Sequence, residues 1–342
     1  MEKRVWIYAF SEINLKSKLQ NLKLALVGAF LLALSFPVDA QQTGKVPRIG
    51  FLDSSTASGI AVLLDVFRKE LTKLGWIEGK NITLEYRFAE GKNERLAGLA
   101  ADLVRLKVDL IVVAGTPPTS AAKSATTTIP IVMATVADPV ASGLIASLAR
   151  PGGNVTGLSS LTTELNSKRL EVLKDAVPNL ARVGLLRGAA VSTQLNELRP
   201  AAVALRLKLE EIETQPDAKG LESAFQIAKQ KQVNAIMTMS TRQFFAERKR
   251  IVELAGKYRL PAIYFQREFV DEGGLMSYGA DFDDQYRRAA VYVDKILRGA
   301  KPGDLPVQQA TKFEFIINLK AAKQISLTIP VELLAKADKV IK

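Results

Sequence analysis

Short unbroken apolar runs alternate along the chain with longer stretches whose apolar positions recur every three to four residues. "RIGFLD" (48–53) is followed by helical periodicity over 57–74, which Gly75 closes. "NITLEYRFA" (81–89) alternates as a strand does, 93–106 is helical, and "VDLIVVAG" (108–115) is a continuous buried strand. "PTSAAKSAT" (118–126) predicts a short helix, "IPIVMA" (129–134) a strand, and 140–149 a helix. The same order then returns. "ARVGLLRG" (181–188) matches "PRIGFLD", "VNAIMTMS" (233–240) matches "VDLIVVAG", and "YRLPAIYF" (258–265) matches "TTIPIVMA". Continuous Val/Ile/Leu strands between helices indicate parallel sheets covered on both faces. The fold class is therefore α/β, and the repeat predicts two Rossmann-like lobes.

Between the two halves lies "ADPVASGLIASLARPGGNVTG" (137–157). Its glycines could suit a phosphate loop, but such a loop opens a helix directly after a strand. Here Pro151, Gly152, Gly153 and Asn154 are expected to close the helix predicted before them. "NVTGLSS" then reads as an extended crossing between lobes.

Composition adds a compartment. The chain has 342 residues, 48% hydrophobic and 24% charged, which is globular and long enough for two domains. Residues 1–23 carry Lys3, Arg4, Lys16, Lys18 and Lys23 against Glu2 and Glu12, and "LALVGAFLLALSF" (24–36) and "PVDA" follow. This is the pattern of a cleavable signal peptide cut after Ala40. The apolar run is shorter than the ~20 residues of a spanning helix. With no cysteine there is neither a disulfide nor a lipid-modified anchor. A freely diffusing exported protein points to a Gram-negative periplasm. The net charge is +12, but the one dense basic run, "ERKRIVELAGKYR" (247–259), has helical spacing with Ile251, Leu254 and Tyr258 on one face. It reads as a solvated helix face, and no nucleic-acid partner is expected.

Histidine is absent as well as cysteine. That removes Ser-His-Asp and Cys-His catalysis and most zinc and transition-metal sites. Ser120 and Lys123 in "TSAAK" have the spacing of penicillin-recognising enzymes, but no K-T-G element accompanies them. "GWIEGKN" (75–81) is an imperfect Walker A loop with Asn81 where the magnesium-binding hydroxyl would be. "NIT" and "NVT" are sequons of little meaning in a bacterial export. No catalytic residue, cofactor or metal is expected.

Polar groups remain at the carboxyl ends of strands, where open α/β sheets bind ligands. Asp53, Ser54 and Ser55 follow the first strand, Thr116 and Ser120 the third, beside helix N–H groups, and Asp138 the fourth. In the second half these positions hold Arg187, Ser240 and Thr241, then Phe265, Arg267 and Glu268, with Ser277 and Tyr278 beyond. Two such rows facing across a cleft make a small-molecule site.

Several long ordered motifs carry a resemblance: "KVPRIGFLDSS", "LTKLGWIEGKNITLEYRFAEG", "LVRLKVDLIVVAGTPPTSAAKSATTTIPIVMATVADPVASGLIASLARPGGNVTGLS", "KYRLPAIYFQREFVDEGGLMSYG" and "ATKFEFIINLKAAKQISLTIP". Over essentially the whole chain after the leader it resembles the uncharacterised ABC-transporter substrate-binding proteins of tryptophan/tyrosine type. The resemblance implies a type I periplasmic-binding-protein fold with parallel sheets, three crossings and a ligand in the cleft. The crossings are expected near Gly153–Ser159, Ser277–Asp281 and Thr311–Phe315. Lobe one would then hold 41–157 plus 282–310, and lobe two 158–281 plus 311–342.

By motif position it implies ligand contacts from Ser54, Ser55, Thr116, Pro117 and Asp138 in lobe one, and from Ser240, Phe265 and Tyr278 in lobe two. The chain departs from the family pattern twice. Arg187-Gly188 replaces Asn-Pro, and Ser240-Thr241 stands where an Asp is frequent. An acid is lost and an arginine gained, so Arg187 either points to solvent or pairs with a protein carboxylate, or is a partner for a ligand carboxylate, with Asp138 opposite for an ammonium or hydroxyl group. The implied function is periplasmic capture of a small polar or amino-acid-like solute for an inner-membrane ABC permease, by a monomer. The alternative is a ligand sensor feeding a membrane signalling partner. A repressor of this fold would need an N-terminal DNA-binding module where the leader stands.

Overall fold

The strands of the first half are apolar on both faces because helices cover both. In the computed structural model, which describes residues 45–162, 164–189 and 194–342, β1 (Arg48–Asp53), β2 (Thr83–Phe88), β3 (Leu110–Ala114), β4 (Ile131–Val136) and β5 (Val155–Ser159) pair in parallel. The expected leader 1–40 and its cut after Ala40 lie outside the described residues. Along β3, Leu110, Val112 and Ala114 face one apolar cluster and Ile111 and Val113 the other. This is the period of two that a pleated strand imposes. Helices Ala61–Lys73 and Phe282–Leu297 pack together over the first face. Leu96, Ala100 and Leu103 of helix Leu96–Arg105, with Ala122 of helix Thr116–Ala125, fill the second.

The second half repeats the design with β6 (Arg182–Arg187), β7 (Lys208–Glu213), β8 (Ala235–Thr238), β9 (Ala262–Tyr264) and β10 (Met276–Ala280). The sheets are completed by β11 (Gln308–Gln309) beside β5, and by β12 (Phe313–Asn318) and β13 (Lys339–Ile341) beside β10. The orders are β11-β5-β4-β3-β1-β2 and β13-β12-β10-β9-β8-β6-β7. Their shared cores, β2-β1-β3-β4-β5 and β7-β6-β8-β9-β10, are the same doubly wound order, so the repeat read in the sequence is a repeat in space. Among the described residues all strand pairings are parallel except β10 with β12, which is antiparallel.

Among the described residues the chain passes between sheets three times: between β5 and β6, β10 and β11, and β11 and β12. The first passage begins later than expected. Val155–Ser159 is not a linker but a strand in register with β4, and Ser159 still pairs with Gln309. Gly157 makes this possible. It sits at φ +129°, and a Cβ there would lie 2.2 Å from the Met133 carbonyl oxygen.

The helix expected over 140–149 does not form. Asp138 accepts from the N–H groups of Val140 and Ala141, and Gly143 turns at φ +66°. Leu144 and Ile145 are nevertheless buried, so their apolar spacing reflects packing of turns. Gly152 and Gly153, also at positive φ, lead into β5 rather than closing a helix. The imperfect Walker loop is a turn braced by Asn81, whose side chain bonds the Gly75 carbonyl and the Ile77 N–H. Asn154 of the second sequon is buried, donating to the carbonyls of Thr126 and Ile129.

Candidate functional site

In each doubly wound sheet the strand order reverses beside the first strand, and a crevice opens there at the carboxyl ends. These two crevices, after β1 and β3 and after β6 and β8, meet in one cleft of about 580 Å³ lined from both sheets. Ser54, Thr116 and Pro117 reach it from the first sheet, and Arg187, Ser240 and Phe265 from the second. Ser55, Asp138 and Tyr278 are not part of the lining. Ser55 is turned back to bond Asp53 through its N–H and hydroxyl, at 2.8 and 2.7 Å. Asp138 caps its own turn. Tyr278 packs its ring edge-on against Phe315.

The helix start at Thr116 offers fewer N–H groups than its place after β3 suggests. Pro117 and Pro118 carry none, and the Thr119 N–H is bonded to Gly115. Ser120 is exposed, and Lys123 donates to the Gly143 carbonyl.

Arg187 enters the cleft already paired. Its Nε lies 3.1 Å from Glu211 and its Nη1 3.0 Å from Glu213. The register explains this: Glu213 is directly opposite Arg187 in the β6–β7 ladder, and Glu211 is two residues back on the same face. Both carboxylates come from β7, a strand whose polar sequence, KLEEIE, gave no apolar signal. The ligand role for Arg187 therefore has a competing structural explanation.

Two other arginines matter more, and neither stands out in the sequence pattern. Arg242 begins the short helix Arg242–Ala246, and its Nε lies 3.3 Å from Asp53, across the cleft on β1. Asp53 is fully buried and Arg242 is 7% exposed. Arg242 also lies over the Phe245 ring, 4.8 Å from its centroid. Nearby, Arg248 donates to the Gly59 carbonyl of the first lobe at 2.8 Å and Gln243 to that of Gly91 at 3.4 Å. This basic run thus does more than present a solvated face.

Arg169, in helix Glu164–Ala176, is 1% exposed. It donates to the carbonyls of Tyr278 and Thr162, to Asn166 Oδ1 and to Ser240 Oγ. All four acceptors are neutral, and burial pulls its pKa down to about 9. The available signal was a charged residue on an apolar helix stripe, with Asn166, Leu170 and Leu173 as its buried neighbours. Gln194 holds Ser240 from the other side: its Nε2 donates to the Ser240 carbonyl and its Oε1 accepts the Ser240 N–H, both at 3.2 Å.

Among the described residues no cluster of acidic side chains could hold a metal ion, and no helix is long and apolar enough to cross a membrane. The cleft can enclose a small solute between apolar walls, including Phe244 and Phe282, and hydroxyl groups.

Comparison with known proteins gives a consistent picture. A family profile described as ABC transporter substrate binding protein matches residues 58–341. A tyrosine-binding protein of Clostridioides difficile (strain R20291) is 27% identical over 267 residues, 76% of this chain and 75% of that protein. The crystal structure of a conserved domain protein from Vibrio cholerae O1 biovar El Tor superimposes with a TM-score of 0.78 at 28% identity, covering 86% of this chain and 100% of the other. An ABC domain from Streptococcus pneumoniae in complex with L-Trp superimposes with a TM-score of 0.77 at 26% identity, covering 87% and 100%.

Proposed function

The chain belongs to the ABC transporter substrate-binding protein family, and we propose that it captures a small polar or amino-acid-like solute in the periplasm for an inner-membrane ABC permease. The observation that carries this reading is a cleft at two facing switch points, bridged by the buried Asp53–Arg242 pair. A site lined from two lobes can close over its occupant, and such closure is the usual response of hinge-bending binding proteins. The names of the tyrosine-binding relative and the L-Trp complex support an amino-acid-like solute. In this reading the protein works as a monomer, reaches the periplasm through the leader 1–40, and binds its solute without transforming it.

Native mass spectrometry of protein purified from its own cells identifies the solute carried. Adding that solute at a hundredfold excess over Kd stabilises the fold by about 2.7 kcal/mol and compacts the protein in X-ray scattering. A solute that raises the melting temperature with no compaction overturns the reading.

A further inference from the structure

The charges around the cleft do not balance as a zwitterionic ligand requires. We propose that the cleft takes a small organic carboxylate, received by the Ser240 hydroxyl with Arg169 behind it as fixed counter-charge, and that its described lining holds no buried acid to receive an ammonium group. This rests on the solute-capture reading above and narrows it to a chemical class.

Arg169 is a cation buried to 1% exposure. A guanidinium buried to this depth is normally matched by a carboxylate, because desolvating an unpaired ion is expensive. Among the described residues none lies within ion-pair distance of Arg169; its four acceptors are neutral oxygens. Its field is therefore unopposed by any protein anion in contact with it. One of those oxygens is Ser240 Oγ, at 3.0 Å, and Ser240 lines the cleft. Because Oγ accepts from Arg169 and Gln194 occupies both backbone groups of Ser240, the hydroxyl proton is the donor that this residue has left to give. A hydroxyl accepting from a cation becomes a stronger donor in turn. Ser240 thus offers the cleft a polarised donor backed by positive charge.

Asp53 is held by Ser55 and Arg242, and Asp138 caps a turn outside the lining. Glu211 and Glu213 neutralise Arg187. Of the described lining residues, the acid that remains is the exposed Glu94. Positions 163 and 190–193 are Thr, Ala, Val, Ser and Thr, so they contribute no carboxylate either. An ammonium group would meet hydroxyls and carbonyls in the field of Arg169, whereas a carboxylate would supply the missing counter-charge.

Two matched series test this by isothermal titration. The first is 3-phenylpropanoate, L-phenylalanine and phenethylamine; the second is 4-methylpentanoate, L-leucine and 3-methylbutylamine. Each holds the side chain constant and changes only the charge. In at least one series the plain carboxylate should bind about tenfold or more tighter than the amino acid, and the amine should not bind. Ser240→Ala should weaken the carboxylate about tenfold or more, as loss of a hydrogen bond to a charged group does, and Ser240→Thr should largely restore it. An unchanged melting temperature of unliganded Ser240→Ala confirms that folding is intact. An amino acid or amine that equals or exceeds its carboxylate overturns the proposal, as does a carboxylate indifferent to Ser240→Ala. Failure of all six compounds also overturns it. The capture reading is judged separately, by whether the solute found by native mass spectrometry compacts the protein.

Discussion

Arg242→Ala should penalise the closed cleft far more than the fold. Asp53 and Arg242 belong to different lobes, are almost wholly buried, and lie 3.3 Å apart. At an effective dielectric of about 20 their attraction is about 5 kcal/mol before desolvation is subtracted. Removing the arginine leaves a buried carboxylate that, among the described residues, is held by the Ser55 N–H and hydroxyl. Deleting one partner of a buried pair costs about 3–5 kcal/mol. When the lobes part, water reaches Asp53 and the penalty disappears, so the cost falls on closure. Taking the lower figure, the closed-to-open ratio drops by roughly 150-fold. The chain has no cysteine, so Lys80→Cys and Lys229→Cys, at exposed positions on opposite lobes, accept fluorophores cleanly. Energy transfer between them reports the separation directly. Arg242→Ala should shift the pair towards the long distance and need correspondingly more ligand to close. Combining Asp53→Asn with Arg242→Gln should recover part of the loss, since no unpaired charge remains. If Arg242→Ala closes at the same ligand concentration as the parent, within about threefold, the pair does not hold the lobes together.

Three other substitutions probe separate parts of the molecule. Gly157→Ala forces a side chain into φ +129° and against the Met133 carbonyl; it should destabilise the fold by about 3 kcal/mol or more, measured by urea denaturation. Glu268 is buried, and burial raises its pKa to about 7. The folded state therefore holds this proton more tightly than the unfolded state does. Its contribution to stability is full below about pH 4.5 and is lost as pH rises through 7; Glu268→Gln should flatten that slope and gain about 3 kcal/mol at pH 8, and an unchanged slope refutes the assignment. Arg187→Ala should leave binding of the captured solute within about threefold of the parent, because Glu211 and Glu213 already answer its charge; a loss beyond tenfold by titration restores it to the ligand contacts.

The fold was legible because its strands are buried on both faces, so β1, β3, β4, β6, β8 and β9 announce themselves as apolar runs. Strand β7 did not, since it is an edge strand that carries Glu210, Glu211 and Glu213. Missing it hid which carboxylates pair with Arg187 and kept a ligand role open for that residue. The 140–149 stretch misled in the opposite sense: its apolar residues are buried, but Asp138 and Gly143 bend the backbone into turns. In the site, residues directly after strands could be named from topology alone, as with Ser54, Thr116 and Ser240. Arg169 could not, because it sits within a helix and reaches the cleft only through the hydroxyl it donates to.

The interleaving of the two halves also fixes when they can be finished. The first lobe is not complete at Ser159. Trp76 waits for Asp294, 218 residues later, to accept its indole N–H, and the Thr156 hydroxyl waits for the Leu305 carbonyl. Helix Phe282–Leu297, which seals one face of β4 and β5, is made after every strand of the second lobe up to β10. A chain emerging from its N-terminus therefore carries its oldest segments unsealed until nearly nine-tenths of it has been delivered, and both lobes then mature together. A stop after residue 281 would leave the first sheet without its helix over β4 and β5 and the second without its strands β12 and β13, rather than one sound lobe, so the unit of folding, and of quality control, is the whole hinge.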